Sequence, residues 1–364
     1  MSKKQKCCDG KIKERLGKVG GQAVIEGVMM KAGTRTVTTC RKEDGTIIVN
    51  DGNFESVRKK HKILNIPILR GVINFVEMMI LSFKTLGVSA EALELDDEKD
   101  KQKKAEGKKT TTDLVMIIGL ILGVALAVVL FMLLPGLVSD FAAYLINKIS
   151  GYQINATLRA VIEGAAKIVI FILYLVLVAL MPDIKRTFMY HGAEHKSIAC
   201  FEAGCELTPE NAKNYTRFHP RCGTSFMFVM ILLGVIVGIV INNLFPGLNR
   251  FLLTAIRLLI LPLVVGLGYE FIMFAGKHDN PITRTLSAPG LWMQRITTRE
   301  PTEDMLEIAI ISLKCSLRDD FEDFNRFFEL RPWEKSETES EDTPDKTAEN
   351  QTELTDTEER ENEE

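Results

Sequence analysis

The apolar positions of this chain fall into a few long runs separated by strongly charged segments. A helix needs about 20 apolar residues to cross ~30 Å of hydrocarbon, because each residue advances about 1.5 Å and every backbone amide must be bonded internally. Four runs meet that demand. Leu114 to Val138 carries no charge, and Thr157 to Met181 is polar early but almost wholly apolar from Ile168. Phe226 to Phe245 and Phe251 to Ala275 follow, joined only by Pro246 to Arg250, which predicts an antiparallel hairpin. A fifth stretch, Ile63 to Leu86, is interrupted about once per helical turn by Pro67, Arg70, Asn74, Glu77 and Lys84. That pattern predicts an amphipathic helix lying in the interface rather than a span.

Two shorter patterns lie outside these runs. Thr34 to Arg41 and Thr46 to Asn50 alternate around Glu43, Asp44 and Gly45, and Asp-Gly supplies the positive dihedral that a β-hairpin turn requires. Met305, Leu306, Ala309, Ile310 and Leu313 recur at helical spacing, predicting an amphipathic helix near Pro301 to Leu317 that packs on the rest of its domain.

The fold class expected is therefore an all-α membrane protein: four transmembrane helices, an interfacial amphipathic helix, a small cytosolic part with a β-hairpin, and a disordered acidic C-terminal tail. In domain terms, 1–18 is a basic tail, 19–62 a cytosolic region with the hairpin, and 63–95 the interfacial helix. A charged linker, 96–112, leads into the four-span domain 113–275, whose cytosolic loop is 182–223. A cytosolic region, 276–332, and the acidic tail, 333–364, complete the chain.

Charge sets the orientation. The net charge of −3 hides a segregated chain, since Glu334 to Glu364 holds 14 Asp plus Glu against Lys335, Lys346 and Arg360. A tail so poor in apolar residues cannot bury enough surface to offset its ordering entropy. Basic residues cluster before the first span, at Lys103, Lys104, Lys108 and Lys109, and between the second and third, at Lys185, Arg186, Lys196, Lys213, Arg217 and Arg221. Loops rich in Lys and Arg stay in the cytosol, which puts both termini there in the cell membrane. The lysine-rich start has no apolar run of the length a secretion signal needs. All seven cysteines and all five histidines then share the cytosolic side, where thiols are expected to be reduced.

The residues that would carry chemistry flank the 182–223 loop. His191-Gly192-Ala193-Glu194-His195 places two imidazoles four residues apart on one helical face, with a carboxylate beside the second. A divalent metal, zinc by the nitrogen and sulfur donors on offer, needs ligands converging from one direction, and Glu194 would take a proton from the attacking water without ligating. The order H-x-x-E-H is that of inverse zincin proteases. At the other end of the loop, His219-Pro220-Arg221-Cys222 abuts the third span. If spans two and three are neighbours, His219 and Cys222 meet His191 and His195; four ligands would close a structural site, three would leave a catalytic position open. Cys222 has a second reading as a thiolate activated by Arg221 and the helix start. Cys200 and Cys205 read as packing residues. Glu270, near the cytosolic end of the fourth span, is a further candidate ligand because charge inside a span is costly. Glu163 with Arg159 and Lys167 reads as a self-neutralising stripe at the outer end of the second span, and Arg257 as a residue facing headgroups or a polar seam. The pair Gly20-Gly21 precedes no βαβ pattern and reads as a turn rather than a phosphate loop.

Several strings together resemble the bacterial YqhQ-type membrane proteins, domain-of-unknown-function family 1385, described as predicted metal-dependent enzymes. They are Gly20-Gly21-Gln22-Ala23-Val24-Ile25-Glu26-Gly27-Val28-Met29-Met30, Tyr190 to Lys196, His219 to Ser225, Asp279-Asn280-Pro281, and Ser287 to Pro301. The resemblance spans about Val19 to Leu317. It implies the membrane fold, and it adds Glu26 to the candidate site, with entry to a structural hairpin as the competing role. Family identity names a fold and leaves the reaction open.

The leading expectation is a metal-dependent hydrolase at the cytosolic membrane surface, with His191, His195 and His219 or Cys222 holding the metal, Glu194 as general base, and a lipid or membrane-bound peptide as substrate. The alternative is a non-catalytic scaffold with a structural metal site. A small transporter, motivated by Glu163, Lys167, Arg257 and Glu270, is third, with Pro262 expected to break one helix. Nucleic acid is not expected as a partner, because the basic residues track membrane boundaries.

Overall fold

A computed structural model of the chain describes residues 15–93, 111–245, 247–277, 281–318 and 320–321. The acidic tail expected over 333–364 lies outside the described residues, as do most of the basic segment 1–18 and of the linker 96–112.

The N-terminal part is a four-stranded antiparallel meander, β1 (Val19–Val24), β2 (Gly27–Ala32), β3 (Arg35–Arg41) and β4 (Ile47–Asn53), in the order β1-β2-β3-β4. The expected hairpin is β3–β4. Gly45 sits at φ +88 and the Asp44 carboxylate accepts from Thr46 N at 2.8 Å. A second hairpin, β1–β2, pairs Val24 with Gly27 and turns through Glu26 at φ +49. The Gly20-Gly21 pair thus lies within a strand, not a turn. A Cβ on Gly21 would stand 2.6 Å from Met29 O, 2.9 Å from Met30 Sδ and 3.1 Å from Glu194 Cγ, so the glycine is required by close approach rather than by chain reversal.

The central strands are covered on both faces, which explains the unbroken apolar run Val28-Met29-Met30 of β2. On one face, Val28 and Met30 join Tyr190, Ala193 and Leu306, while Val37 and Val49 meet Ile311 and Cys315. On the other, Val24, Met29 and Cys40 pack on Leu81. The alternation of Met29 against Val28 and Met30 is the period of two expected of a strand.

Short helix α1 (Val57–Lys60) precedes α2 (Leu69–Ala92). The first long run is a continuous helix, α3 (Thr111–Val128) and α4 (Leu134–Ser150), joined by a π-helical turn, Val129–Leu133, just before Pro135. A widened turn there accommodates a residue that lacks an N–H. Helix α5 (Ala156–Ala179) leads at once into α6 (Pro182–Glu202), so half of the expected 182–223 loop is helical. One-turn α7 (Pro209–Ala212) precedes α8 (Gly223–Leu244), α9 (Arg250–Lys277), α10 (Pro281–Thr297) and α11 (Glu303–Ser316). Helix α9 continues through Pro262 without a break.

Five helices among the described residues are long and apolar enough to cross a membrane: Leu69–Ala92, Ile118–Ser150, Ala156–Ala179, Gly223–Leu244 and Arg250–Phe274. At most 28% of any of their apolar windows is buried inside the molecule. Apolar surface left outward on that scale is solvated by lipid. The bundle is closed by small residues, as where a Cβ on Gly164 would meet Val235 of α8 at 2.5 Å.

Helix α2 differs from the other four in what it touches. The Glu77 carboxylate accepts from Ser56 Oγ and Val57 N, both at 2.8 Å. One helical turn on, Leu81 enters the sheet cluster, Ser82 Oγ donates to Gln22 Oε1 at 2.5 Å, and Gln22 Nε2 donates to Thr85. The face from Glu77 to Thr85 therefore lies along the sheet. At its start, Glu270 of α9 pairs with Arg70 and accepts from Ile68 N at 3.3 Å, a carboxylate placed where a helix N-terminus favours negative charge.

Helix α11 is buried nearly all round rather than amphipathic. It is capped by Thr302, which accepts from Met305 N, and wedged between the sheet and α6, with Ser312 Oγ donating to Val28 O and Val37 O at 3.1 and 2.8 Å. Leu306, Ile308 and Leu313 are wholly buried, each such side chain contributing about 1.5–3 kcal/mol. Among the described residues, the free thiols are Cys40, Cys200, Cys222 and Cys315.

Candidate metal centre at the membrane surface

The site forms between α6, which follows the apolar helix α5, and the start of the apolar helix α8. Residues 190 to 198 of α6 are buried from β1 on one side and from the 294–301 segment on the other, with only His191 partly exposed. Gly192 makes that possible: a Cβ there would stand 2.0 Å from Arg299 O, whose own N–H donates to Phe188 O at 2.8 Å.

The ring centroids of His191 and His195 are 4.4 Å apart. Cys222, at the N-cap of α8, places its Sγ 3.4 Å from His191 Nε2 and 3.3 Å from Thr224 Oγ1. One ligand atom from each of His191, His195 and Cys222 lies within 4.8 Å of the others. Tetrahedral zinc, with bonds of about 2.1 Å to nitrogen and 2.3 Å to sulfur, separates its ligands by about 3.3–3.6 Å. The widest separation among the three, within 4.8 Å, exceeds that by at most about 1.2–1.5 Å.

Both imidazoles are oriented by backbone carbonyls. His191 Nδ1 lies 2.9 Å from Thr297 O, and His195 Nδ1 lies 2.5 Å from Arg217 O. A carbonyl can only accept, so each Nδ1 carries the proton and each Nε2 keeps its lone pair for the site. Burial holds the His195 imidazole below its ordinary pKa, with His191 adding to the effect and Cys222 and Arg217 O opposing it. A neutral ring is the form that ligates.

Glu194 is buried beside this group, its Oε2 3.9 Å from His191 Nε2. Burial pushes its carboxyl above the usual carboxylate range, against the pull of His191, His219 and the Gly21 N–H. The space left by Gly21 is thus what admits the carboxylate to the floor of the site.

His219 is drawn in but turned away. Its ring lies 5.5 Å from that of His195, yet its Nε2 is 3.7 Å from Glu202 Oε2. Glu202 is itself fixed by Gly17 N at 2.9 Å and by Arg221. The His219 backbone is clamped by Gln294, whose Oε1 accepts from His219 N at 2.7 Å and whose Nε2 donates to His219 O at 2.8 Å and Ser225 Oγ at 3.2 Å. The expected set of four converging donors therefore contracts to three, with Glu194 alongside.

The two further acidic candidates are engaged elsewhere. Glu26 forms a two-point pair with Arg186 and accepts from Tyr190 Oη at 3.3 Å, tying the β1–β2 turn to α6. Glu270 is held by Arg70 and the start of α2, as above. The stripe on α5 is not self-contained either: Glu163 pairs with Arg257 of α9, and Arg159 with Asp140 of α4 at 3.3 Å.

Gln294 and Thr297 were not among the sequence candidates. One acts through its amide on another residue's backbone, the other through its own carbonyl, and neither role has a residue-type signature; their sole signal was their place in the Ser287 to Pro301 string.

The class these features define is a helical membrane protein with a small sheet-containing domain and a His/Cys/Glu cluster at the junction of the two. The chain belongs to the family described as Protein of unknown function (DUF1385), which matches residues 66–319. "Uncharacterized protein YqhQ" of Bacillus subtilis (strain 168) is 35% identical over 305 residues, covering 82% of this chain and 92% of the relative. No solved structure matches it.

Proposed function

We propose that this protein is a metal-dependent hydrolase working at the cytosolic surface of the cell membrane, with zinc held by His191, His195 and Cys222 and a lipid or membrane-bound peptide as substrate. The observation that carries the reading is the convergence of three donors whose two imidazoles are both pinned through Nδ1 to backbone carbonyls. Solvated surface histidines have no need of such orientation. Three protein ligands leave one position open, as in catalytic rather than structural zinc sites. Bound there, the metal would supply Lewis acidity. Glu194 is the base: it stands next to the donors, contacts none of them closely enough to ligate in their place, and has a raised affinity for a proton.

Chain parity supports four spans and a surface-lying α2. Helix α6 packs on β1 and β2, so the sheet and the end of α5 share one side. Two crossings, by α3–α4 and by α5, return the chain to the side where Thr111 began, which leaves α2 with none. The basic loops make that side the cytosol. A reporter inserted after Leu93 should read the same side as one inserted at Thr302; opposite readings would mean that α2 crosses.

The Glu194→Gln variant separates hydrolase from scaffold. It keeps the shape and should keep fold and zinc at wild-type stoichiometry, while lowering function by about 10²–10⁴-fold, the contribution usual for a positioned base. Full complementation of a deletion strain by this variant would leave a structural metal site as the better reading. The scaffold is favoured by one observation, that the same carbonyl contacts join α6 to α10 and to the 203–222 segment.

A further inference from the structure

A cavity of about 310 Å³ opens at the opposite end of the bundle, lined by Asp140 of α4, Arg159 and Glu163 of α5, Asn242 of α8, and Arg250 and Arg257 of α9. Asn242 is 20 residues along the chain from Cys222 at the N-cap of the same helix. At about 1.5 Å per residue the cavity lies about 30 Å from the His/Cys cluster, the thickness of the hydrocarbon core. It is a separate site on the far membrane surface.

Its charges do not balance. Asp140 pairs with both Arg159 and Arg250, and Glu163 pairs with Arg257 through Nη1 and Nη2, the second at 3.1 Å. Among the lining residues three guanidiniums thus face two carboxylates, an excess of one positive charge at the edge of a low-dielectric medium. The Arg257 side chain is nine-tenths buried and its Nε has no hydrogen-bond partner, although Nη2 also donates to Asn242 Oδ1 at 3.1 Å. A buried donor on a cation left unpaired is costly.

The backbone is shaped around these groups. A Cβ on Gly136 would stand 1.5 Å from Arg250 Nη1, so that guanidinium occupies room that any other residue at 136 would take. Ordinary surface arginines are not accommodated in this way. We propose that the cavity binds a phosphate group, that of a phospholipid headgroup entering from the surrounding leaflet or free phosphate from solution. Guanidinium matches phosphate in charge and in its fork of parallel donors, and the single excess cation suits a phosphodiester monoanion. Asn242 and the ends of α8 and α9 would contact what the phosphate carries.

Native mass spectrometry of the full-length protein in detergent tests this with three probes: phosphatidylglycerol, the matching diacylglycerol, and inorganic phosphate. One phosphatidylglycerol should be retained per chain, and diacylglycerol should not. Arg159→Gln, at a half-exposed position, makes the cavity neutral and should weaken retention at least tenfold, as should Arg250→Gln; Arg159→Lys should keep it. Binding of the lipid that millimolar inorganic phosphate fails to displace identifies the lipid as the source; binding of inorganic phosphate alone identifies the free ion. Equal retention of diacylglycerol and phosphatidylglycerol would overturn the proposal, as would retention of phosphate or phospholipid unchanged in both Gln variants with wild-type thermal unfolding.

Discussion

Gly192→Ala is expected to destabilise the sheet-containing domain by about 3 kcal/mol or more, at or above the upper end of ordinary overpacking. The added Cβ would stand 2.0 Å from Arg299 O and 3.4 Å from Pro301 Cδ. The first of these is backbone, and it is not free to yield: Arg299 N donates to Phe188 O, Glu300 bridges Lys196 and Arg217 at 2.9 and 2.8 Å, and Thr297 O holds His191. A shift of the 297–301 segment that relieved the clash would release the His191 imidazole. The variant should therefore unfold at lower temperature and also fail to retain metal. Thermal unfolding in detergent with metal content measured on the same sample checks both; a wild-type melting temperature would mean that the segment moves aside at little cost.

Gln294→Ala is expected to act on the opposite wall of the site. Gln294 is wholly buried and satisfies His219 N and His219 O at once. Truncation leaves His219 N unpaired in a dry environment at about 1–3 kcal/mol, leaves His219 O with only the longer bond from Cys222 N, and opens a cavity as well. The loss should fall in the range of about 3–5 kcal/mol. Because Cys222 lies three residues beyond His219 on the clamped segment, with Cys222 N donating to His219 O at 3.3 Å, its thiol loses its placement. Metal affinity should drop by about 10–100-fold, as when the outer partners of a ligand are removed. Retention of wild-type affinity would show that the α8 N-terminus alone positions Cys222.

The long helices were legible because lipid imposes a length and a composition that nothing else in the chain imitates. The β3–β4 hairpin was legible because Asp44-Gly45 is a turn signal with a backbone reason. His191, Glu194 and His195 could be grouped because helical spacing alone puts them on one face. The β1–β2 hairpin surfaced only as the competing role of Glu26, because that residue adopts a positive φ that a non-glycine residue seldom takes, and because Gly20-Gly21 looked like a turn when Gly21 serves close approach to Glu194. Glu26 was a candidate ligand through its motif string and Glu270 through its place inside a span; their guanidinium partners lie 160 and 200 residues away, at Arg186 and Arg70, and no local pattern reports them. Spacing brought His219 to the site but could not report that its Nε2 stands 3.7 Å from Glu202 or that Gln294 clamps its backbone. Helix α11 was placed correctly but read as one-sided, since the second covering layer, α6, is more than a hundred residues distant in sequence.

All of the proposed chemistry requires that the imidazoles of His191 and His195 and the thiol of Cys222 hold an ion. Elemental analysis of the purified full-length protein, run beside a His191→Ala, His195→Ala double variant that still folds, measures it directly. One zinc per chain in the first and none in the second is the result predicted; near-zero metal in both, after purification with zinc present throughout, would contradict it.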